Sequence, residues 1–444
     1  MVVIVKILQV ILALSVLILI HEAGHFLWAK LFRIRVDKFF LFFDAWGVKL
    51  FSTRQAWFVR LFPKAASWET EYGIGWLPLG GYCKIAGMVD ESMDTEYMRS
   101  EPQEWEFRSH PAWQRLLVMS GGVLNNFLLA IILYISILSI WGDAILRNEG
   151  HAIYVNDLAY DMGFRSGDRI LLFDDYVPED FSMLQADLAR RDVRKVTLLR
   201  GTDTLELYMD QSRIGEVLNS PGMFDLAVPF VVDTVLSDSP NAGRLLRGDR
   251  LVAVDGEKVE WLQDARKLFA RSAGGQSEVT VLRAADTVAM ALDVDTLGRV
   301  GVYTRFPDYE VRHYNVLQAV PAGFKMTFST VGGYLKDLRL VATPRTEAYK
   351  SVGSFIAIGQ VFPDRWNWYQ FLQLLALLSV MLGVMNLLPI PALDGGHIVI
   401  CLYEMVTRRK PSDRFLMVTQ MIGMFLLLAL MMLAFGNDIG RLLR

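Results

Sequence analysis

The stretch LILIHEAGHFLWAK, Leu17 to Lys30, places two histidines and a glutamate inside a run that from Val2 onward is otherwise suited to lipid. Ionisable side chains are costly in hydrocarbon, and where they occur they face a bundle interior or a functional site. On a helix His21 and His25 lie four residues apart and project from one face, so they can share one metal ion. Glu22, one position on, stands beside that ion without binding it. Zinc with three protein ligands keeps a water in its fourth position and lowers that water's pKa toward about 7. A carboxylate placed like that of Glu22 can take the proton and pass it to a leaving amine.

Four stretches of the 444-residue chain are apolar enough to cross a bilayer, which takes roughly 20 helical residues. They run from about Val2 to Ala29, Leu116 to Trp141, Tyr369 to Leu388 with an apolar continuation to about Tyr403, and Phe415 to Phe435. A hydrophobic content of 53% agrees with membrane embedding. The net charge of -3 and the lack of a Lys/Arg block exclude an electrostatic nucleic-acid binder. The two cysteines, Cys83 and Cys401, build neither a disulfide framework nor a cysteine zinc site. The first span lacks a small-residue cleavage site, and removal would discard HEAGH with it, so it reads as retained. Lys30, Arg33, Arg35 and Lys38 follow the first span, and Arg408, Arg409, Lys410 and Arg414 precede the fourth, which places both ends in the cytosol. Residues from about 142 to 368, and both termini, then lie outside.

Two histidines are one protein ligand short. The third is expected at matching depth, and NLLPIPALDGGH, Asn386 to His397, supplies a candidate in Asp394. Pro389, Pro391, Gly395 and Gly396 interrupt the helix there, as backbone bending around a site requires. His397 reads as packing or support. Upstream, TEYGIGWLPLGGYCKIAG (Thr70 to Gly87) reads as a turn-rich strand pair apolar enough to dip into the membrane. The Phe- and Trp-rich residues Ile34 to Glu69 read as an insertion without an assigned task.

The outside segment carries a weak repeat. GFRSGDRILLFDD (Gly163 to Asp175) and RLLRGDRLVAVDG (Arg244 to Gly256) share Gly-Asp-Arg, an apolar strand and a turn, about 80 residues apart, the size of a small β-rich module. A helix-like stretch follows each, Phe181 to Arg191 and Trp261 to Ser272.

With HExxH in the first span and LDGG in the third, the chain resembles the site-2 protease family of intramembrane zinc metalloproteases, and looks most like its bacterial branch of envelope-stress regulators. HEAGH is similar to the HExxH motif, NLLPIPALDGG to NxxPxPxLDGG, and PLGGY (Pro78 to Tyr82) to the membrane-associated β-loop. The outside modules resemble tandem PDZ domains, SPNAGRLLRGDRLVAVDG (Ser239 to Gly256) carrying the likeness. The resemblance implies that His21, His25 and Asp394 bind zinc and that Glu22 is the catalytic base. It implies that Asn386, Asn126 in GGVLNNF (Gly121 to Phe127), Gly80 and Gly81 engage substrate. The implied fold class is an α-helical polytopic membrane protein of about four spans with two inserted PDZ-like α+β domains. Its parts are an N-terminal membrane core over 1–141, PDZ-like domains over 142–222 and 223–305, an amphipathic connection over 306–368 and a C-terminal membrane core over 369–444. The implied task is cleavage of single-span membrane proteins after ectodomain trimming, an anti-sigma factor among them, in a bacterial inner membrane. Clearing remnant signal peptides or processing pheromone precursors is the alternative, and a non-catalytic PDZ scaffold is the alternative of another class.

Overall fold

The computed structural model describes residues 2–78, 80–88, 101–220 and 222–443, so Leu79 within PLGGY lies outside the described residues. The chain forms two compact units. The first comprises 1–142, 313–339 and 352–444, and the second 143–312 and 340–351.

The first unit opens with α1 (Val2–Leu31), 30 residues and about 45 Å long. Lipid-facing and inward faces are both apolar here, so hydrophobic periodicity does not mark the interior. Small and polar residues do: Gln9, Ala13, His21, Gly24, His25 and Ala29 lie on the buried stripe, with Leu17 among them. There follow β1 (Val36–Leu41), β2 (Lys49–Ser52), α2 (Ala56–Leu61), β3 (Glu71–Gly75), β4 (Tyr82–Ile85) and α3 (Ala112–Ile140). The four strands make one sheet in the order β2-β3-β1-β4. The strand pair expected within Thr70 to Gly87 is thereby corrected: β3 and β4 both form, but β1 lies between them, parallel to β3 (Lys38 opposite Glu71) and antiparallel to β4 (Phe40 opposite Tyr82). The stretch read as an insertion supplies two of the sheet's strands. Among the described residues, β4 is an outer strand of this sheet.

The second unit contains β5 (Asp143–Ile145), β6 (Ala152–Val155), α4 (Asp157–Asp161), β7 (Arg169–Phe173), α5 (Leu184–Arg190), β8 (Lys195–Arg200), β9 (Asp203–Tyr208), α6 (Ile214–Asn219) and β10 (Phe224–Ala227). It continues through β11 (Val232–Val235), β12 (Arg250–Val254), β13 (Glu257–Lys258), α7 (Leu262–Arg271), β14 (Gln276–Arg283), β15 (Asp286–Asp293), β16 (Val302–Thr304) and β17 (Glu310–Arg312). The repeat is built at atomic level. Sheet β7-β8-β9 with α5 corresponds to β12-β14-β15 with α7. In the first copy the Asp168 carboxylate accepts from the Arg165 N–H and from two nitrogens of Arg200. In the second, Asp249 accepts from the Leu246 N–H and two nitrogens of Arg283. Both carboxylates are buried, each satisfied by a turn and a bidentate arginine. The first module runs past the expected boundary at 222, because β10 pairs with β6, Phe224 opposite Val155. Both modules share one hydrophobic core, from Leu146 to Val300.

The connection expected over 306–368 is no separate region. Residues 313–339, most of α8 (Val316–Ala342), belong with the first unit, and 340–351 belong with the second. The chain then closes the first unit with α9 (Phe355–Val361), α10 (Trp368–Leu387), α11 (Asp394–Thr407) and α12 (Asp413–Leu442). Helices α1, α3, α10 and α12 are the four among the described residues long and apolar enough to cross a membrane.

Candidate metal centre

One break in helical order and one close helix contact bring the centre together. At Leu388 α10 ends, Pro389 and Pro391 keep the next turns from continuing it, and α11 starts at Asp394. Between them Ala392 sits at φ 80, a left-handed conformation that costs a non-glycine residue about 1–2 kcal/mol. The bend places Asn386 in the last turn of one helix and Asp394 in the first turn of the next. Helix α1 meets α3 through glycines: a Cβ on Gly24 would stand 2.2 Å from the Gly121 carbonyl oxygen. A Cβ on Gly122 would stand 2.5 Å from His25 Nε2 and 2.6 Å from His21 Cε1. Both imidazoles thus lie directly on the bare backbone of α3.

The three expected ligand atoms form a near-equilateral triangle. His21 Nε2 lies 3.3 Å from His25 Nε2 and 3.2 Å from Asp394 Oδ2, and His25 Nε2 lies 3.3 Å from Asp394 Oδ2. Zinc bonds of about 2.0–2.1 Å at tetrahedral angles set neighbouring ligand atoms about 3.3–3.4 Å apart, so these residues fit zinc with almost no adjustment. The Asp394 oxygen at the apex is buried and accepts no hydrogen bond, as an atom reserved for a cation would be. On its far side the His25 ring meets the Val118 carbonyl oxygen at 2.9 Å from Nδ1, which fixes the tautomer that leaves Nε2 free to bind.

The remaining expected residues divide. Glu22 is half-buried beside this triangle, and the Cys83 peptide of β4 faces its carboxylate. Asn386 brings its amide Nδ2 to 3.3 Å from His21 Nε2, at the rim of the centre. Gly80 and Gly81 pack closely: a Cβ would meet the Phe43 ring at 2.5 Å and Ile18 Cγ2 at 2.6 Å respectively. These two glycines seat the loop against its own sheet and α1. Asn126 stands apart from the others. It is fully buried behind His21, with its amide 3.0 Å from His21 Nδ1. Sequence reasoning missed Val118 and Gly122. A carbonyl acceptor leaves no trace in side-chain identity, whereas the paired glycines in a span were a readable sign of close helix contact.

A metal triangle with a free carboxylate beside it, supplied by an HExxH motif within α1 and an LDGG motif at the start of α11, defines a metallopeptidase. The chain belongs to Peptidase family M50, the site-2 proteases, matching it over residues 9–430, and is a zinc metalloprotease. It is 29% identical over 464 residues to a Neisseria meningitidis protein that carries a zinc metalloprotease name, across 98% of this chain and 99% of that relative. A Clostridium perfringens protein so named is 27% identical over 435 residues, 96% of each chain. Metalloprotease MmpA of Caulobacter vibrioides is 26% identical over 462 residues, 98% of this chain and 96% of its own.

Proposed function

We propose that this protein hydrolyses peptide bonds inside the membrane-spanning segments of single-span proteins, after their ectodomains have been trimmed. The depth of the metal centre carries the reading. His21 lies about 7 Å along α1 from the helix midpoint, well within a hydrocarbon layer about 30 Å thick. A soluble peptide would have no route to chemistry at that depth, whereas a membrane-spanning substrate is already there.

Bound zinc would polarise the scissile carbonyl and acidify the attacking water. The chain's own residues do the rest. Glu22 takes a proton from that water and delivers it to the leaving amine. A helical substrate hides its peptide groups in its own hydrogen bonds and must first unwind. Strand β4, an outer strand among the described strands of its sheet, can receive the unwound stretch as an added strand, bringing its backbone next to Glu22. Asn386, at the rim, is placed to donate its amide hydrogens to a carbonyl brought to the triangle.

The basic clusters after α1 and before α12 support a centre toward the cytosolic face of a bacterial inner membrane, with the second unit on the outer side. Substrates of this kind include anti-sigma factors and signal-peptide remnants, and the repeated modules act as PDZ-like elements that discriminate among them. The test is reconstitution in lipid vesicles with a single-span substrate, the cut being located by mass spectrometry. The reading expects a cut within the apolar segment that Glu22→Gln abolishes. Cuts confined to residues outside that segment would overturn it.

A further inference from the structure

We propose that Asn126 is a positioning residue that locks the zinc-binding tautomer of His21, through a hydrogen bond from His21 Nδ1–H to the Asn126 side-chain oxygen. His21 Nε2 points at His25 Nε2 and Asp394 Oδ2, so ligation needs the Nε2 lone pair and puts the ring proton on Nδ1. That proton faces Asn126, whose amide lies 3.0 Å away. The two ends of a carboxamide are nearly isosteric, and only the oxygen can accept. With the nitrogen toward the ring, Asn126 Oδ1 is buried without any donor. Turned toward the ring, Oδ1 gains one and His21 gains its acceptor.

The surroundings exclude a direct role in holding substrate. Asn126 is completely buried, and Ser379 of α10 donates to its backbone carbonyl at 2.8 Å, closing that side. The Asn125 side chain donates to the Ile20 carbonyl at 3.2 Å, fixing the register of α3 against α1 just ahead of His21. Helix α3 thereby provides the outer partner of each imidazole, a backbone carbonyl for His25 and a side-chain oxygen for His21. Outer partners of this kind set ring orientation and ligand basicity, and losing one typically weakens metal binding about 10–100-fold.

The inference rests on His21 being a zinc ligand, and His21→Ala in the same assay tests that premise separately. The full chain is purified in detergent, its zinc affinity is measured by competition with a chelator, and KM is measured at saturating zinc on a single-span substrate. Asn126→Leu removes the acceptor at similar volume and is expected to weaken zinc binding about 10–100-fold with KM unchanged. Asn126→Asp keeps an acceptor and is expected to stay within about threefold of the parent in zinc affinity. A raised KM with intact zinc affinity in both variants would show substrate contact and overturn the proposal. Equal zinc loss in both would show that only shape matters, and would overturn it too. His21→Ala at full zinc affinity would remove the premise itself.

Discussion

Gly122→Ala adds one methyl group to the most crowded point of the centre. The new Cβ would stand 2.5 Å from His25 Nε2 and 2.6 Å from His21 Cε1, against 3.4 Å for ordinary contact, so the rings or the helix must yield by about 0.9 Å. The rings have little freedom, because the His25 ring is held at Nδ1 by the Val118 carbonyl and His21 is flanked there by Asn126. If α1 and α3 part instead, both histidines leave Asp394, which α11 carries. Either way triangle edges of 3.2–3.3 Å are lost, while zinc bonds tolerate only about 0.2 Å. A displacement near 1 Å costs about 100-fold in rate, or about 2.7 kcal/mol of transition-state stabilisation. We expect kcat/KM to fall at least about 100-fold and zinc to be lost to a chelator that the parent resists. Gly436→Ala on α12, where a Cβ meets nothing within 4 Å, is the matched control. Zinc affinity and kcat/KM within about threefold of the parent for Gly122→Ala would refute the packing argument.

Glu22→Gln should keep zinc at full stoichiometry and lose turnover, whereas His21→Ala and Asp394→Ala should lose both; elemental analysis beside a cleavage assay distinguishes them. In the second unit Arg283→Met strands the buried Asp249 carboxylate and should cost about 2–3 kcal/mol, about 4–12 °C in the melting transition followed by calorimetry. The hydrogen bond from Arg283 holds the Asp249 carboxyl below its ordinary range, so its stabilisation is present above that range and fades as pH falls through the folded-state value. The parent should therefore lose more stability between neutral and acid pH than Asp249→Asn, and parallel pH profiles would deny it. Cys83 and Cys401 are the chain's two cysteines, both assigned to the cytosolic side. A permeant maleimide should label Cys83 in intact cells, and labelling by an impermeant one would invert the orientation.

What could be read from the sequence was local chemistry. HEAGH sets His21, Glu22 and His25 within one helical turn and a half, and the prolines and glycines around Asp394 announce the bend that brings its carboxylate to them. Gly-Asp-Arg gave both modules because the same turn, carboxylate and strand recur together. Pairings between distant segments could not be read. Strand β1 lies between β3 and β4 although all its residues precede both, and its Val-Asp-Lys-Phe-Phe-Leu sequence has no clean alternation to reveal it. Strand β10 closes the first module by pairing with β6, about 70 residues earlier, past a boundary placed where the repeat pattern ended. Asn126 shows the same limit for a side chain. Its motif pointed to substrate, but its partner is the far side of a ring 105 residues away, which only the packing of α3 on α1 brings within reach.

The central claim, one zinc held by His21, His25 and Asp394 at membrane depth, is tested most directly by zinc-edge X-ray absorption on the purified full-length protein. The account predicts a first shell of nitrogen and oxygen only, at about 2.0–2.2 Å, with multiple scattering from two imidazoles and loss of one oxygen in Asp394→Ala. A sulfur scatterer near 2.3 Å, which only Cys83 or Cys401 or a methionine could supply, or a shell unchanged by Asp394→Ala, would contradict it.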